Sequence, residues 1–377
     1  MAIFPAIFSG LCLLLFLHPY ISFPLSLRMM RPRPLRPASD TPWPSASILF
    51  CAHNEERALP EKLGNLEAIR ALHPDIRIFA YDDMSSDSTR TILMSRPDLL
   101  TLVPSRERTG KATGMRHMVE QADSDICIFT DANVIIHPRS IAPLLDCFRD
   151  PAVGGVSGQL RYINDKDGTT AQVGSHYWRL EEHIKTLESR CGSMMGADGA
   201  IFATRREIYP QVPRHLLDDM TVSTSVMFEG LRLVSGPGVI AYEKGTTDSR
   251  DEFRRKRRIA CRAFNTHRYL WPAIRDHFPM RDIYKYVRHK LLRWLGAPIE
   301  ALFLISFTAT LLLTGHDRWV LILWAAGSVA MLLGRMGFPV FSVLYEIQLS
   351  IIATFIGVID SLRGRTYQTW SPAKSRN

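Results

Sequence analysis

The sequence predicts an α/β domain built on a mostly parallel sheet, flanked at both ends by apolar segments of membrane-spanning length. Three observations carry this expectation. Short apolar runs alternate with helical patterns through the middle of the chain, polar and acidic residues stand where each apolar run ends, and nearly uncharged stretches lie at residues 2–27 and beyond 295. Strands alternating with helices bury a parallel sheet on both faces and place the ligand site at the strands' carboxyl ends. At 377 residues and 46% hydrophobic content, the chain exceeds one average domain.

Residues 1–27 read as an N-terminal membrane anchor that runs into Arg28, Arg31, Arg33 and Arg36. About 20 apolar residues suffice to cross a bilayer, and flanking arginines mark the cytoplasmic side. The charges follow the apolar run and no small-residue cleavage pattern is evident, so an uncleaved anchor is expected rather than a signal peptide. Residues 28–44, basic and proline-rich without periodicity, read as a linker.

The central domain is expected over residues 45–270, facing the cytoplasm. Its first strand, Ser47 to Ala52, stops at His53-Asn54-Glu55-Glu56, and Leu59, Leu63, Leu66 and Ile69 then recur at helical spacing. A second strand, Ile76 to Tyr81, breaks into Asp82-Asp83-Met84-Ser85-Ser86-Asp87, with a helix from Thr89. Gly110-Lys111-Ala112 opens another helix, and Asp125 to Thr130 forms the strand that ends in Asp131-Ala132-Asn133. Alternate residues of a strand share a face, so Asp131 and Asn133 can reach one hard divalent cation, Mg2+ or Mn2+, holding a diphosphate. The plain structural alternative is a turn or helix cap.

After the domain, residues 281–294 place Ile283, Val287, Leu291 and Trp294 at helical spacing among basic residues, as an interfacial amphipathic helix would. Residues 295–360 hold three apolar blocks and read as a C-terminal transmembrane region, followed by a tail at 361–377. Three crossings would leave Arg363, Arg365, Lys374 and Arg376 on the outer side, against the positive-inside tendency. One block, such as the last with Glu346 and Gln348, is then expected to re-enter or to pack on the domain, and the sequence leaves the number of crossings open. The formal charge of +9 lies mostly beside these apolar segments, so anionic lipid explains it and no nucleic-acid partner is expected. Six scattered cysteines without a Cys-x-x-Cys pair exclude a zinc ribbon and a disulfide framework, and fit a reducing compartment.

Taken together, these motifs, in this order, resemble the inverting, membrane-bound family 2 glycosyltransferases of GT-A fold, over roughly Ser47 to Arg262. The resemblance implies nucleotide binding by Asn54, Glu55, Asp82, Asp83, Lys111 and Asp131, with metal ligation by Asp131 and Asn133. Met84 stands where the family often has glycine, and Asn133 where it has a second acid. Gly196 and Ala197, in Gly-Ala-Asp-Gly-Ala, would lie on the acceptor side. Leu217-Asp218-Asp219-Met220 matches the family's acidic pair, making Asp219 the general base beside Asp218. In Arg254 to Arg262, Arg255 and Arg258 fall at the glutamine and arginine of Gln-x-x-Arg-Trp and would bind the diphosphate, while Ile259 replaces the stacking tryptophan. For Arg254 and Arg257 the alternative is contact with lipid headgroups.

The expected activity is transfer of a sugar from a nucleotide donor, UDP by family frequency, to a glycan or lipid acceptor at the cell's inner membrane, in a multi-pass protein, forming a β-linkage. Two other readings share the fold: a catalytically silent membrane partner that binds nucleotide sugars, and a sugar nucleotidyltransferase. The second would want a glycine-rich first loop, which Ala52 to Arg57 does not supply.

Overall fold

The structure, a computed structural model, describes residues 2–38 and 40–369. The last eight positions of the expected tail, with Lys374 and Arg376, lie outside that range.

The eight strands are β1 (Ala46–Ala52), β2 (Arg77–Asp82), β3 (Thr101–Pro104), β4 (Ile126–Asp131), β5 (Ile135–Ile136), β6 (Val153–Tyr162), β7 (Ile201–Arg205) and β8 (Arg232–Glu243). They form one sheet in the order β3-β2-β1-β4-β7-β6-β8-β5. Pairings β3-β2, β2-β1, β1-β4 and β6-β8 are parallel, whereas β7 runs antiparallel to both β4 and β6, and β5 antiparallel to β8. The sheet is thus mixed. Because β7 is reversed, its amino end joins the carboxyl ends of β1, β2, β4, β6 and β8 along one edge.

Among the described residues, fourteen α-helices accompany it. Two precede the sheet, α1 (Ile3–Leu17) and α2 (Ser22–Met29); α3 (Leu59–Leu72), α4 (Thr89–Met94), α5 (Lys111–Gln121), α6 (Ile141–Cys147), α7 (Thr169–Arg190) and α8 (Asp218–Phe228) connect strands. Then follow α9 (Ser249–His277), α10 (Met280–Tyr286), α11 (Leu292–Trp294), α12 (Gly296–Leu313), α13 (Asp317–Arg335) and α14 (Pro339–Leu362).

The two faces of the sheet are legible in alternate residues. Ile48, Phe50, Ile78, Ala80, Ile126 and Ile128 face Leu59, Leu63, Leu66 and Ile69 of α3. Leu49, Cys51, Phe79, Tyr81, Cys127 and Phe129 face Ala112, Met115, Met118 and Val119 of α5. A strand covered on both sides needs an unbroken apolar run, which is why β1 and β4 show no polar alternation.

The flanks depart from the simplest sequence reading. The expected single N-terminal anchor is two helices bent by 62° at the break. Residues 281–294 are not one regular helix: a π-helical stretch, Val287–Leu291, joins α10 to α11. Their apolar face is packed inside the protein, with Ile283, Tyr286, Leu291 and Trp294 against Leu270 and Ile274 of α9. Helices α12, α13 and α14 are each long and apolar enough to cross a membrane. The last lies along α9, where Glu346 is buried and accepts hydrogen bonds from Thr170 and Ser249 at the starts of α7 and α9.

Candidate active site

The sheet edge gathers the acids from both ends of the domain. Asp131, the last residue of β4, places Oδ1 2.7 Å from Lys111 Nζ at the start of α5. The same ammonium lies 3.5 Å from Asp218 Oδ2 in the first turn of α8. Asp219, next along, packs against the backbone of Gly199: a methyl group added there would lie 3.0 Å from Asp219 Oδ2 and 3.4 Å from Lys111 Nζ. Lysine 111 is the hub. Burial would favour its neutral form, but Asp131, Asp218 and Asp219 outweigh this and hold its pKa well above the ordinary range.

Burial, reinforced by the adjacent Asp218 charge and by Asp198, pushes Asp219 up to about 6, against the opposing effects of Lys111 and of the Met220 N–H, which donates to Oδ1 at 2.7 Å. A half-buried carboxyl shifted this way is suited to accept a proton near neutrality. The facing loop, 196–200, is fixed from both sides. Ala197 N–H donates to Ser223 Oγ of α8 at 3.0 Å, and Thr130 Oγ1 donates to the Ala200 carbonyl at 2.8 Å. Gly196 takes φ +102°, a conformation that favours glycine.

At the ends of β1 and β2, the residues divide into anchors and available groups. Asp83 accepts from the Thr109 N–H at 2.7 Å and from the Gly110 N–H at 3.1 Å, so it fixes the loop that launches α5. Asn54, at φ +56°, accepts from Ser86 N–H at 2.8 Å and donates its own N–H to Ser85 Oγ, tying the β1 loop to the β2 loop. Glu55 N–H donates to Thr89 Oγ1 at 2.8 Å. Asp82 is buried; its Oδ1 accepts from Ser85 N–H, while Oδ2 has no hydrogen-bond partner. Met84 adopts φ +55°, which explains why glycine suits this position.

Asn133 donates its amide to Glu243 Oε1 at 3.0 Å, at the end of β8. Arg255 of α9 approaches the same quarter, hydrogen-bonded to Tyr162 and 3.5 Å from Glu252, with Glu243 in its field. Arg258 lies one turn further along α9. The structure therefore brings together Lys111, Asp131, Asp218, Asp219 and the 196–200 loop, and sets Arg255 in the field of Glu243, the partner of Asn133. Asn54 and Asp83 instead hold the loops of the adjoining strands. The headgroup alternative for Arg257 gives way to a protein partner, since its guanidinium forks onto Asp360 of α14 at 2.6 and 3.0 Å. Arg254 is paired with Asp251 one turn before it.

Several residues to which the sequence motifs give no role belong to this edge. Lys62, wholly buried on α3, donates to the Val134 carbonyl at 2.6 Å and to Thr130 Oγ1 at 3.3 Å, bracing the Asp131–Asn133 turn from behind. Burial lowers its pKa to about 7 against the pull of Asp131. Asp198 and Lys185 stand 4.0 Å apart beside Gly199. A lysine inside an otherwise apolar helical stripe is the signal that marks Lys62. Near the chain's end, the Gln368 carbonyl rests against Gly110, where an added methyl carbon would be 2.5 Å from it.

Lys111 engages one oxygen of Asp131, and Glu243 engages the amide nitrogen of Asn133, so one carboxylate oxygen and one amide oxygen remain as ligands. Among the described residues, no group of three or more His, Cys, Asp or Glu side chains forms a cage. Two hard oxygens fit Mg2+ or Mn2+ that draws its other ligands from phosphate and water.

Residues 47–212 match the model of Glycosyl transferase family 2. An N-acetylglucosaminyltransferase of Rhizobium leguminosarum bv. viciae is 23% identical over 228 residues, spanning 55% of this chain and 53% of that protein. A poly-beta-1,6-N-acetyl-D-glucosamine synthase of Staphylococcus aureus (strain COL) is 23% identical over 199 residues, spanning 51% and 48%. The chain spans about half the length of the curated relatives it matches. Mannosyltransferase PcManGT from Pyrobaculum calidifontis, solved in complex with GDP-Man and Mn2+, superposes with a TM-score of 0.74 at 20% identity, covering 96% of this chain and 99% of that one. This last likeness is one of fold.

Proposed function

The chain carries a family 2 glycosyltransferase domain of GT-A fold, and from that premise we propose that it transfers a sugar from a nucleotide donor to a hydroxyl acceptor at a membrane, with inversion. One observation carries the reading: Lys111 joins Asp131, at the donor strand, to the Asp218–Asp219 pair, so that both halves of the reaction meet within one side chain's reach. Asp219 takes the acceptor's proton, the acceptor oxygen bonds to the anomeric carbon, and the bond from that carbon to the nucleoside diphosphate breaks with its electrons. Attack from the face opposite the leaving group turns an α-linked donor into a β-linked product.

Lys111 stays cationic and stands where the diphosphate charge builds, with Arg255 and Arg258 on the far side as forked donors. Asp131 and Asn133 would hold Mg2+ or Mn2+, which when bound neutralises the departing diphosphate. Asp82, whose Oδ2 has no hydrogen-bond partner, is the residue we assign to the base or ribose of the nucleotide. The names of the curated relatives support an N-acetylhexosamine donor, and UDP is the nucleotide we assign. The apolar helices α12, α13 and α14 support residence in the inner membrane, with a glycan or a lipid as acceptor.

The test uses purified membranes, a panel of nucleotide sugars and the release of nucleoside diphosphate. Asp219→Asn should lower kcat by at least about a hundredfold, in the range expected for a lost general base, while donor affinity is retained. Undiminished turnover would remove Asp219 from this role.

A further inference from the structure

Behind the reaction edge, on the α3 face of the sheet, lies a cation that the transfer chemistry does not itself use. Lys62 sits among Leu59, Leu63, Leu66 and Ile69 and is wholly buried. Taking an ammonium out of water is costly, and an apolar side chain of similar volume would fill this part of the core without that cost. What the lysine adds is three donors at the end of a long stem.

Two of these donors are engaged at the site. One reaches the Val134 carbonyl at 2.6 Å, just past the turn that carries Asp131 and Asn133; the Val134 N–H closes that turn by donating to the Asp131 carbonyl at 3.2 Å. Another reaches Thr130 Oγ1 at 3.3 Å. The ammonium also stands 5.7 Å over the ring of Phe50 in β1. Further along α3, the Asn65 amide donates to the Ile136 carbonyl at 2.6 Å, and its Oδ1 accepts from the Ile136 N–H at 2.9 Å. Thr130, Val134 and Ile136 are thus all held to one helix.

The threonine carries the contact onward. Thr130 Oγ1 accepts from Lys62 and donates to the Ala200 carbonyl at 2.8 Å, and all three residues are buried. Ala200 directly follows Gly199, against which Asp219 packs. Thr130 and Ile201 form the last rung between β4 and β7, so beyond it the spacing of Asp131 from Gly199 is set by side chains.

We propose, on the transfer reading above, that Lys62 is a positioning residue for that reaction. Its ammonium fixes the Asp131–Asn133 turn through the Val134 carbonyl and the 196–200 loop through the Thr130 hydroxyl, and so sets the distance between the ligands of the cation and the base Asp219. Wholly buried, it reaches neither substrate nor cation itself. A divalent ion that takes only two oxygens from the protein does little to organise the turn, so the pre-set turn governs its affinity. Base and acceptor must be aligned for attack, so the pre-set loop governs the rate.

The experiment uses the full chain in detergent and two variants, Lys62→Met and Thr130→Val. Binding of Mn2+ is read from the loss of its free EPR signal, in the presence of UDP and, separately, of GDP; turnover is read from nucleoside diphosphate release, normalised to the folded fraction. Lys62→Met cuts both arms. Its Mn2+ affinity should fall at least about tenfold, as for other lost supports of a metal ligand, and kcat should stay low at saturating Mn2+. Thr130→Val cuts only the arm to Ala200, so kcat should fall about tenfold while Mn2+ affinity and donor KM stay within about twofold of wild type. Mere destabilisation removes active molecules and leaves the Mn2+ affinity of the folded fraction unmoved. Should Lys62→Met fail to fold, Thr130→Val decides. Wild-type Mn2+ affinity in Lys62→Met, wild-type kcat in Thr130→Val, or turnover by wild type without bound Mn2+ overturns the positioning role while glycosyl transfer stands. Wild type that releases nucleoside diphosphate from no donor removes the transfer reading, and this role with it.

Discussion

Asp219 combines two opposing demands in one carboxyl. Burial and the neighbouring Asp218 and Asp198 charges raise its pKa to about 6. As the proposed base it would work only when deprotonated, so kcat/KM should climb about tenfold per pH unit below 6 and level off above it. The stability consequence has the opposite sign. A carboxyl whose folded pKa exceeds its unfolded value binds its proton more tightly when folded. Its contribution is therefore fully present below the unfolded value of 3.8 and is lost as pH rises through about 6. Asp219→Asn removes that loss: its Tm should exceed that of wild type at pH 8, and the gap should close toward pH 4. Thermal melts at the two pH values measure it, and a wild-type Tm above the variant's at pH 8 contradicts the placement. The acids of this site stand out in the sequence because each ends an apolar run. Lys185 and Asp198 do not, since a lysine in a helix ordinarily reads as solvated and Asp198 sits among glycines that read as a turn, and Lys62 is marked only by the apolar stripe it interrupts. Asn133's tie to Glu243 joins positions 110 residues apart, which no local pattern reveals.

Helix α9 serves two neighbours at once. Arg255 reaches Tyr162 at the end of β6, while Lys256, Arg257 and Arg268 engage α14 through Ser350, Asp360 and the Ser361 carbonyl. Its basic run was legible as a functional stretch. The division of labour was not, because the partner that neutralises Arg257 lies about a hundred residues later, inside an apolar block. The alternation of β1, β2 and β4 with α3, α4 and α5 followed from sequence periodicity, but β5 to β8 and the reversal of β7 did not, since a short strand buried on both faces looks alike in either direction. The α9–α14 contact is close enough to exclude side chains: a methyl at Gly357 would collide with the Arg257 carbonyl, the Ala260 side chain and the Cys261 N–H. Backbone atoms cannot step aside, so the helices must part. Gly357→Leu should cost about 1–3 kcal/mol of stability by overpacking and lower the Tm of the detergent-solubilised protein by several degrees. An unaltered Tm would mean that the two helices are not held at this distance.

At the scale of the whole molecule, the apolar helices behave as two groups. Leu321 and Ile305, on α13 and α12, are 73% and 66% exposed, as surfaces meant for lipid are, whereas Ala353 and Val358 of α14 are buried against the domain. Asp360, 2% exposed, is likewise enclosed and forked by Arg257. Breaking a buried pair by removing one partner leaves an uncompensated charge, and that costs more than the pair contributed. Glu346 adds a second fastening, at the starts of α7 and α9, the helices that bear Lys185 and Arg255. The C-terminal region is thus part of the wall on which the site is built, and not only a means of retention. Deleting residues 296–377 should leave α9 with an exposed apolar face and unpaired arginines, giving a domain that aggregates without detergent. In detergent, nucleoside diphosphate release should fall at least tenfold below that of the full chain. A soluble, monodisperse domain with undiminished turnover would reduce these helices to anchors and separate the chemistry from the membrane.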